Sequence, residues 1–297
     1  MQGQHLISQL SEEISKVIKG KDEAIMMILT VLLAQGHVLI EDVPGVGKTT
    51  LAMALGKATG LGFRRAQFTP YVMASDITGF TMFNKEENRF EYRSGLVMTN
   101  ILLADEINRT SPKTQSALLE AMEEKRVTVD GAVHRLPDPF MVIATQHSQG
   151  YVGTFPLPEA QLDRFMVKIS MGYPSVAEEA MMMMERLGEN PVNDVDNIMS
   201  AEQLQCCIDE VQEVEFASGL CRYVAELSAA TRRHSAVELG VSPRASLAIM
   251  NAGRAYAYIN GRDYVVPEDI VRLLMPVFAH RIVLKQETRL SRFNIRS

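Results

Sequence analysis

The stretch Val38-Leu39-Ile40-Glu41-Asp42-Val43-Pro44-Gly45-Val46-Gly47-Lys48-Thr49-Thr50 decides the fold. A continuous apolar run from Val38 closes on Asp-Val-Pro-Gly, which reads as a buried strand entering a loop. Thr49 to Thr59 then reads as a helix that ends near Gly60. Gly45 and Gly47 let the backbone come close to a ligand with no Cβ in the way. Backbone N–H groups and the positive end of the helix can there surround phosphate oxygens. Lys48 is positioned to reach the β and γ phosphates and Thr49 to ligate magnesium, with Pro44 to Thr50 as the binding loop. The strict phosphate-loop pattern has glycine where this chain has Asp42, but Pro-Gly-x-Gly-Lys-Thr preserves the turn.

Upstream, Ala24 to Ile40 carries no charge. Its apolar part spans about 10 residues against the roughly 20 needed to cross a bilayer. Gln35-Gly36-His37 interrupts it, so it reads as a buried helix followed by the buried strand. Met1 to His5 lacks the basic stretch of a signal peptide, and a soluble protein with no membrane insertion is expected.

Downstream, strands are expected over Phe63 to Phe68, Asn100 to Asp105, Phe140 to Thr145 and Phe165 to Ser170, alternating with helical patterns as in a parallel α/β sheet. Arg126 to Arg135 alternates around Asp130-Gly131 and predicts a hairpin. Thr81-Met82-Phe83 and Phe90-Glu91-Tyr92 flank a polar run and predict a second. After Tyr173-Pro174 strand signals disappear. Val176 to Leu187, Ala201 to Val214, Ala217 to Arg232, Pro243 to Ile259 and Pro267 to Val277 suit helices. Residues 1–174 are thus expected to form an α/β nucleotide-binding domain, and 175–297 a smaller all-α lid domain. The run Met181 to Met184 reads as packed helix, with an adaptable binding surface as the alternative.

Ile101-Leu102-Leu103-Ala104-Asp105-Glu106 supplies the second half of the chemistry. The strand's C-terminal end opens on the same sheet edge as the phosphate loop, where ligands bind. Asp105 there can hold the magnesium water shell, and Glu106 can polarise an attacking water.

Bulk properties limit the alternatives. The 297 residues are 46% hydrophobic and 22% charged, an ordinary globular balance. With 36 acidic and 30 basic residues the net charge is −6, which speaks against a nucleic-acid partner held by a bulk basic field. Three cysteines, at 206, 207 and 221, form neither a disulfide framework nor a zinc pattern and fit a reducing cytoplasm.

At this point the sequence resembles an AAA+ ATPase of the MoxR family. The likeness rests on Glu41 to Thr49, Leu103-Ala-Asp-Glu-Ile-Asn-Arg109, Lys113-Thr-Gln-Ser-Ala-Leu-Leu-Glu-Ala-Met-Glu123 and Leu157-Pro-Glu-Ala-Gln-Leu-Asp-Arg-Phe165, extended by Ser242-Pro243-Arg244. It implies a P-loop AAA+ core, a homo-hexameric ring, and ATP with Mg2+ bound between neighbours. Arg164 matches the arginine finger that faces a neighbour's γ phosphate, and fingers of this kind are worth about 10³–10⁵ in rate. Arg244 matches the second sensor, a lid arginine expected to read the phosphates of its own subunit. After Met141 to Thr145 the family continues Gln-Asn-Pro, whereas this chain reads Gln146-His147-Ser148. A neutral His147 can take over the asparagine's hydrogen bond, and a protonated one would make the rate pH-sensitive. The task can also fall to Thr145 or Gln146.

No protease, nuclease or metal-insertion domain is recognisable, so the family likeness implies a chaperone that remodels or activates partner proteins, including ones with a von Willebrand factor A domain. Two other classes stay open. A nucleic-acid translocase would use Lys125, Arg126, His134 and Arg135 around the 130–131 turn. An ATP-gated scaffold would turn over slowly, and His147 makes it conceivable.

Overall fold

In a computed structural model that describes residues 2–146, 153–185 and 191–287, the chain opens with two helices, α1 (Gln2–Val17) and α2 (Asp22–Leu33). Next come β1 (Val38–Glu41), α3 (Lys48–Ala58), β2 (Phe63–Gln67), a short α4 (Ala74–Thr78) and the hairpin β3 (Gly79–Asn84) and β4 (Arg89–Ser94). β5 (Ile101–Asp105) and α5 (Pro112–Glu124) lead to the hairpin β6 (Arg126–Val129) and β7 (Ala132–Arg135), then β8 (Met141–Gln146), α6 (Glu159–Leu162) and β9 (Val167–Ile169). The remainder is α7 (Val176–Glu185), α8 (Ala201–Glu213), α9 (Ser218–Arg233), β10 (Val237–Leu239), α10 (Pro243–Ile259), α11 (Pro267–Phe278) and β11 (Val283–Leu284).

Five of these strands pair in the order β2-β5-β8-β1-β9, every pair parallel. Strand side chains alternate between faces, and both faces here are dry. Leu39, Leu102, Ala104, Val142 and Ala144 point to one side, where Leu118, Leu119 and Met122 of α5 cover them. Val38, Ile40, Ile101, Leu103, Met141 and Ile143 point to the other, into a core shared with α1, α2, α3 and helices α8, α10 and α11. The continuous apolar runs of the sequence follow from this double covering.

The helices after Pro174 therefore close over the sheet through α1 and α2. Ile7, Leu10 and Ile14 of α1, a helix the sequence reading did not name, are fully buried in that layer. The helical half also holds the two-stranded ribbon β10–β11, with Val237 opposite Leu284 and Leu239 opposite Val283. Strands of two and three residues are too short to leave a periodic signal. Met181, Met183 and Met184 are exposed, so most of the methionine run is surface and not packed helix.

Both hairpins form as their turns predict. Asp130 and Gly131 take φ values of 48° and 81°, the left-handed pair that a tight hairpin turn requires. The hairpins meet where Tyr92 of β4 stacks on His134 of β7, ring centroids 3.7 Å apart. On β3–β4, Phe80, Phe83 and Phe90 are exposed. Among the described residues no helix is long and apolar enough to cross a membrane.

Candidate active site

β1 delivers the chain to the C-terminal edge of the sheet, and α3 begins at Lys48. Gly45 and Gly47 bridge the two with φ of 85° and 92°, a region costly to other residues. Around Gly45 nothing lies within 4 Å of where a Cβ would stand, so the loop is an open cradle. Lys48 is nearly buried, and its Nζ donates to the Asp42 carbonyl at 3.2 Å. Burial pulls its pKa below the ordinary lysine value, against the opposing pull of Asp42, Asp105 and Glu106.

Asp42, the departure from the glycine pattern, has a structural task. Its Oδ1 accepts the Val43 N–H at 2.9 Å. Its Oδ2 accepts the N–H groups of Met171 and Gly172 at 2.6 and 2.7 Å and the Ser170 hydroxyl at 3.1 Å. Burial alone would raise this carboxyl's pKa; the Gly172, Val43 and Met171 amides and the Ser170 hydroxyl outweigh it and hold the pKa low. The side chain thus ties the root of the phosphate loop to the segment leaving β9.

β5 brings Asp105 and Glu106 to the same edge. A cleft of about 330 Å³ is lined by Gly45, Lys48, Thr49, Gln67, Asp105 and Glu106 among others. Thr145, at the end of the adjacent β8, donates its hydroxyl to Asp105 Oδ1 at 2.7 Å and accepts the Glu106 N–H at 2.8 Å. Glu106 itself has φ 58°, a conformation that costs a non-glycine residue energy and clusters at working sites. Its Oε2 accepts from Gln67 Nε2 and Arg109 Nη1, both at 2.8 Å. Arg65 Nη2 lies 2.7 Å from Asp105 Oδ2. The oxygens of Thr49 and Asp105 are hard donors suited to Mg2+, and with the open cradle they fit a magnesium–nucleotide complex.

Arg164 is not at this edge. Phe165 and Met166 follow it, and the Met166 N–H donates to the carbonyl of His37, the residue before β1. Arg164 therefore lies at the N-terminal edge of the sheet, a four-residue strand of roughly 13 Å from the loop that follows β1. Its Nη2 is 3.1 Å from Glu123 Oε2, at the end of α5. Arg244 pairs with the other oxygen of the same Glu123. This corrects the expectation that Arg244 reads its own subunit's phosphates. The lid helices stack on α1 and α2, which brings the start of α10 to Gln35, Gly36 and Arg164 and not to Lys48. His147 lies outside the described residues, and Thr145 is the β8 side chain that touches both acids.

Comparison with known proteins gives the family. A family model described as "ATPase family associated with various cellular activities (AAA)" matches residues 37–167, and one described as "AAA lid domain" matches 229–294. YeaC of Bacillus subtilis is 49% identical over 284 residues, 96% of this chain and 89% of YeaC. Chaperone MoxR1 of Mycobacterium tuberculosis is 39% identical over 290 residues, 94% and 76% of the two chains. Protein MoxR of Paracoccus denitrificans is 30% identical over 90% of this chain and 86% of its own. The chain belongs to the MoxR family of AAA+ ATPases. A crystal structure of a candidate ATPase from Cytophaga hutchinsonii superimposes with a TM-score of 0.91 at 37% identity, over 98% of this MoxR-family chain and 91% of that one.

Sequence reasoning missed several members of this site. Gln67 and Arg65 stand on β2 in register with Asp105 and Leu103, so the parallel order alone would have put them on the ligand edge. Arg109 lay inside a quoted motif without a role. Glu123 likewise closed a quoted motif without a role, because one of its partners, Arg244, lies 121 residues away along the chain. Among the described residues no His, Cys, Asp and Glu cluster suits a resident metal ion.

Proposed function

We infer that this MoxR-family chain hydrolyses ATP to ADP and phosphate in a ring, with each site shared between neighbouring subunits, and uses the energy to remodel partner proteins. The observation that carries the reading is the separation of Lys48, Asp105 and Glu106 at one sheet edge from Arg164 and Arg244 at the other. Two arginines sharing one carboxylate at the opposite edge are poised for a neighbour's phosphates. The 1–174 unit supplies the phosphate loop, and the 175–297 lid carries one of the cations for the next subunit.

In this reading Lys48 binds the β and γ phosphates, the loop N–H groups from Gly45 to Thr50 orient them, and Thr49 and Asp105 hold Mg2+. The metal, when bound, neutralises charge on the phosphates. Glu106 takes the proton of the attacking water once Gln67 and Arg109 yield its carboxylate, and Thr145 keeps both acids in register. A six-membered ring in a reducing cytoplasm is the form the family suggests.

A protein client is favoured over nucleic acid. The exposed Phe80, Phe83 and Phe90 of β3–β4 give an apolar contact surface. Three of the four basic residues named around the other hairpin's turn are engaged: Lys125 on Gln35 at 3.0 Å, Arg126 on Glu124 at 3.1 Å and His134 under Tyr92. Clients with a von Willebrand factor A domain are the partner class that the sequence resemblance implies. The test is Glu106→Gln used as a trap. It is expected to bind ATP without turnover and to retain clients in an affinity pull-down, while Arg164→Ala binds ATP with turnover lowered about 10³-fold. Full turnover in homogeneous Arg164→Ala would sink the shared site. Absence of phosphate release by concentrated parental protein with its client would sink the enzyme.

A further inference from the structure

Arg281, in the turn after α11, is the most completely bonded side chain at the junction of lid and core. Its own side chain is only 2% exposed. A guanidinium has five N–H donors, and each has an acceptor here. Nε donates to Asp163 Oδ1 at 2.7 Å. Nη2 donates to the Asp163 carbonyl at 3.0 Å and the Phe165 carbonyl at 2.7 Å. Nη1 donates to the Met166 carbonyl at 3.1 Å and to the Val277 carbonyl. Three of the five acceptors are main-chain carbonyls of residues 163, 165 and 166, and they bracket Arg164.

Two further lid side chains reach the same segment. His280 Nε2 donates to the Phe165 carbonyl at 3.0 Å. Ser242 stands where an N-cap serine would normally accept an N–H of α10, yet it makes no such bond. Its hydroxyl donates instead to Asp163 Oδ2 at 2.8 Å. A capping bond of α10 is thus replaced by a bond to the residue before Arg164.

We propose that Arg281 is a positioning residue for Arg164: it fixes the backbone from which the finger projects, so that the lid sets where the finger stands at the neighbour's site. This rests on the shared-site reading given above. A buried arginine is a poor source of net stability compared with apolar packing. Its planar fork, unlike an ammonium, fixes several acceptors in one plane. Among the described residues Arg164 uses its own side chain only on Glu123, so its aim depends on the main chain behind it.

The test uses the full-length protein with Arg281→Lys. Lysine keeps a charge for Asp163 but has three donors and no fork, so the carbonyl clasp opens. Own-site binding of a fluorescent ATP analogue is expected to stay parental, because the phosphate loop lies at the other sheet edge. Turnover is expected to fall by about 100-fold, the loss typical of a 1 Å misplacement. Hydrogen–deuterium exchange is expected to rise in the 159–169 peptide and not in the phosphate-loop peptide.

Mixing then separates positioning from simple destabilisation. Lys48→Ala subunits offer an intact finger and no nucleotide site, whereas Arg281→Lys subunits offer the reverse. A random equal mixture joins an intact site to an intact finger at about one interface in four, so turnover rises well above the sum of the two alone. Arg164→Ala mixed with Lys48→Ala is the control. If the control fails to recover, the shared-site reading falls. If the control recovers while Arg281→Lys alone keeps parental turnover, or fails to recover with Lys48→Ala, the role given to Arg281 falls. Should Arg281→Lys not fold, Arg281→Gln, which keeps two N–H donors for the carbonyls of 163–166 and adds no buried charge, goes through the same assays, and parental turnover in it overturns the proposal.

Discussion

Replacing Asp42 by asparagine isolates the one residue at which the phosphate loop departs from its usual pattern. The carboxylate accepts four hydrogen bonds, three on Oδ2 and one on Oδ1. An asparagine can keep its carbonyl oxygen at the Oδ2 position, but its NH2 then faces the Val43 N–H, leaving two donors opposed. Opposing a part-buried donor costs about 1–3 kcal/mol, and the three remaining bonds lose their charge assistance. Relief of the buried charge returns part of that, so a net loss of about 3 kcal/mol is expected. For a chain of this size 1 kcal/mol moves the melting midpoint by roughly 2–4 °C, so Asp42→Asn should melt about 6 °C or more below the parent.

Thermal melts at a series of pH values test the cause as well as the size. The folded pKa of Asp42 is lowered, so its stabilisation is present above the unfolded value of about 3.9 and is lost as pH falls through the folded value. The gap between parent and Asp42→Asn should therefore be constant from neutral pH to about 4 and narrow only below it. A variant that melts with the parent at pH 7 would refute the account. So would a gap that closes between pH 7 and 5, since the carboxylate would then not be held charged.

Further outcomes follow from the buried histidines and from Glu123. Burial pulls His37 down to about 4 and His280 to about 3, so both sit neutral in the fold. As pH drops below about 6.5 the unfolded chain takes up protons that the folded one refuses, and stability should fall by up to about 1.4 kcal/mol per pH unit for each histidine. Denaturant midpoints that do not decline between pH 6.5 and 4.5 would contradict this burial. Glu123→Gln should change stability by no more than about 1 kcal/mol, because its two ion pairs are largely solvated. By removing the charge that competes with a neighbour's phosphates, it should lower the protein concentration giving half-maximal ATPase activity. A rise in that concentration would make Glu123 an organiser of the two arginines instead of their competitor.

The sheet was legible because its strands are buried on both faces, so Val38 to Ile40, Ile101 to Ala104 and Met141 to Ala144 appear as unbroken apolar runs. The 126–135 hairpin was legible from two residues that tolerate positive φ. β10 and β11 were not, being too short for periodicity. In α1 the buried Ile7, Leu10 and Ile14 are spaced three and four apart with polar residues between them, an amphipathic stripe that was legible and went unread. Lys48, Asp105 and Glu106 could be read because contiguous motifs carry them. Thr145 was reachable only as an alternative to His147, and Gln67 not at all, because its only mark is standing at the C-terminal end of a strand whose neighbours depend on sheet order. The position of Arg244 was misjudged for a related reason. The family resemblance implies a phosphate-reading lid arginine, but how the lid helices stack decides which edge of the sheet it stands at.

That stacking restricts how copies can associate. The edge with Lys48 and Glu106 and the edge with Arg164 and Arg244 lie at opposite ends of the same parallel strands. A two-fold dimer presents the same patch on both partners, so it could bring the two edges together only if they were adjacent on one surface. If the site is shared as proposed, edges that lie opposite can meet only head to tail, each subunit offering its arginines to the next and its phosphate loop to the one before. Contacts of that kind close into a ring or run on as a filament, and the angle between successive subunits decides which. Arg281 and Ser242 hold the Arg164 segment to the lid, so on the proposed role of Arg164 that angle and the reach of its side chain are set by the same junction. A displacement of the lid would then alter turnover and ring geometry together.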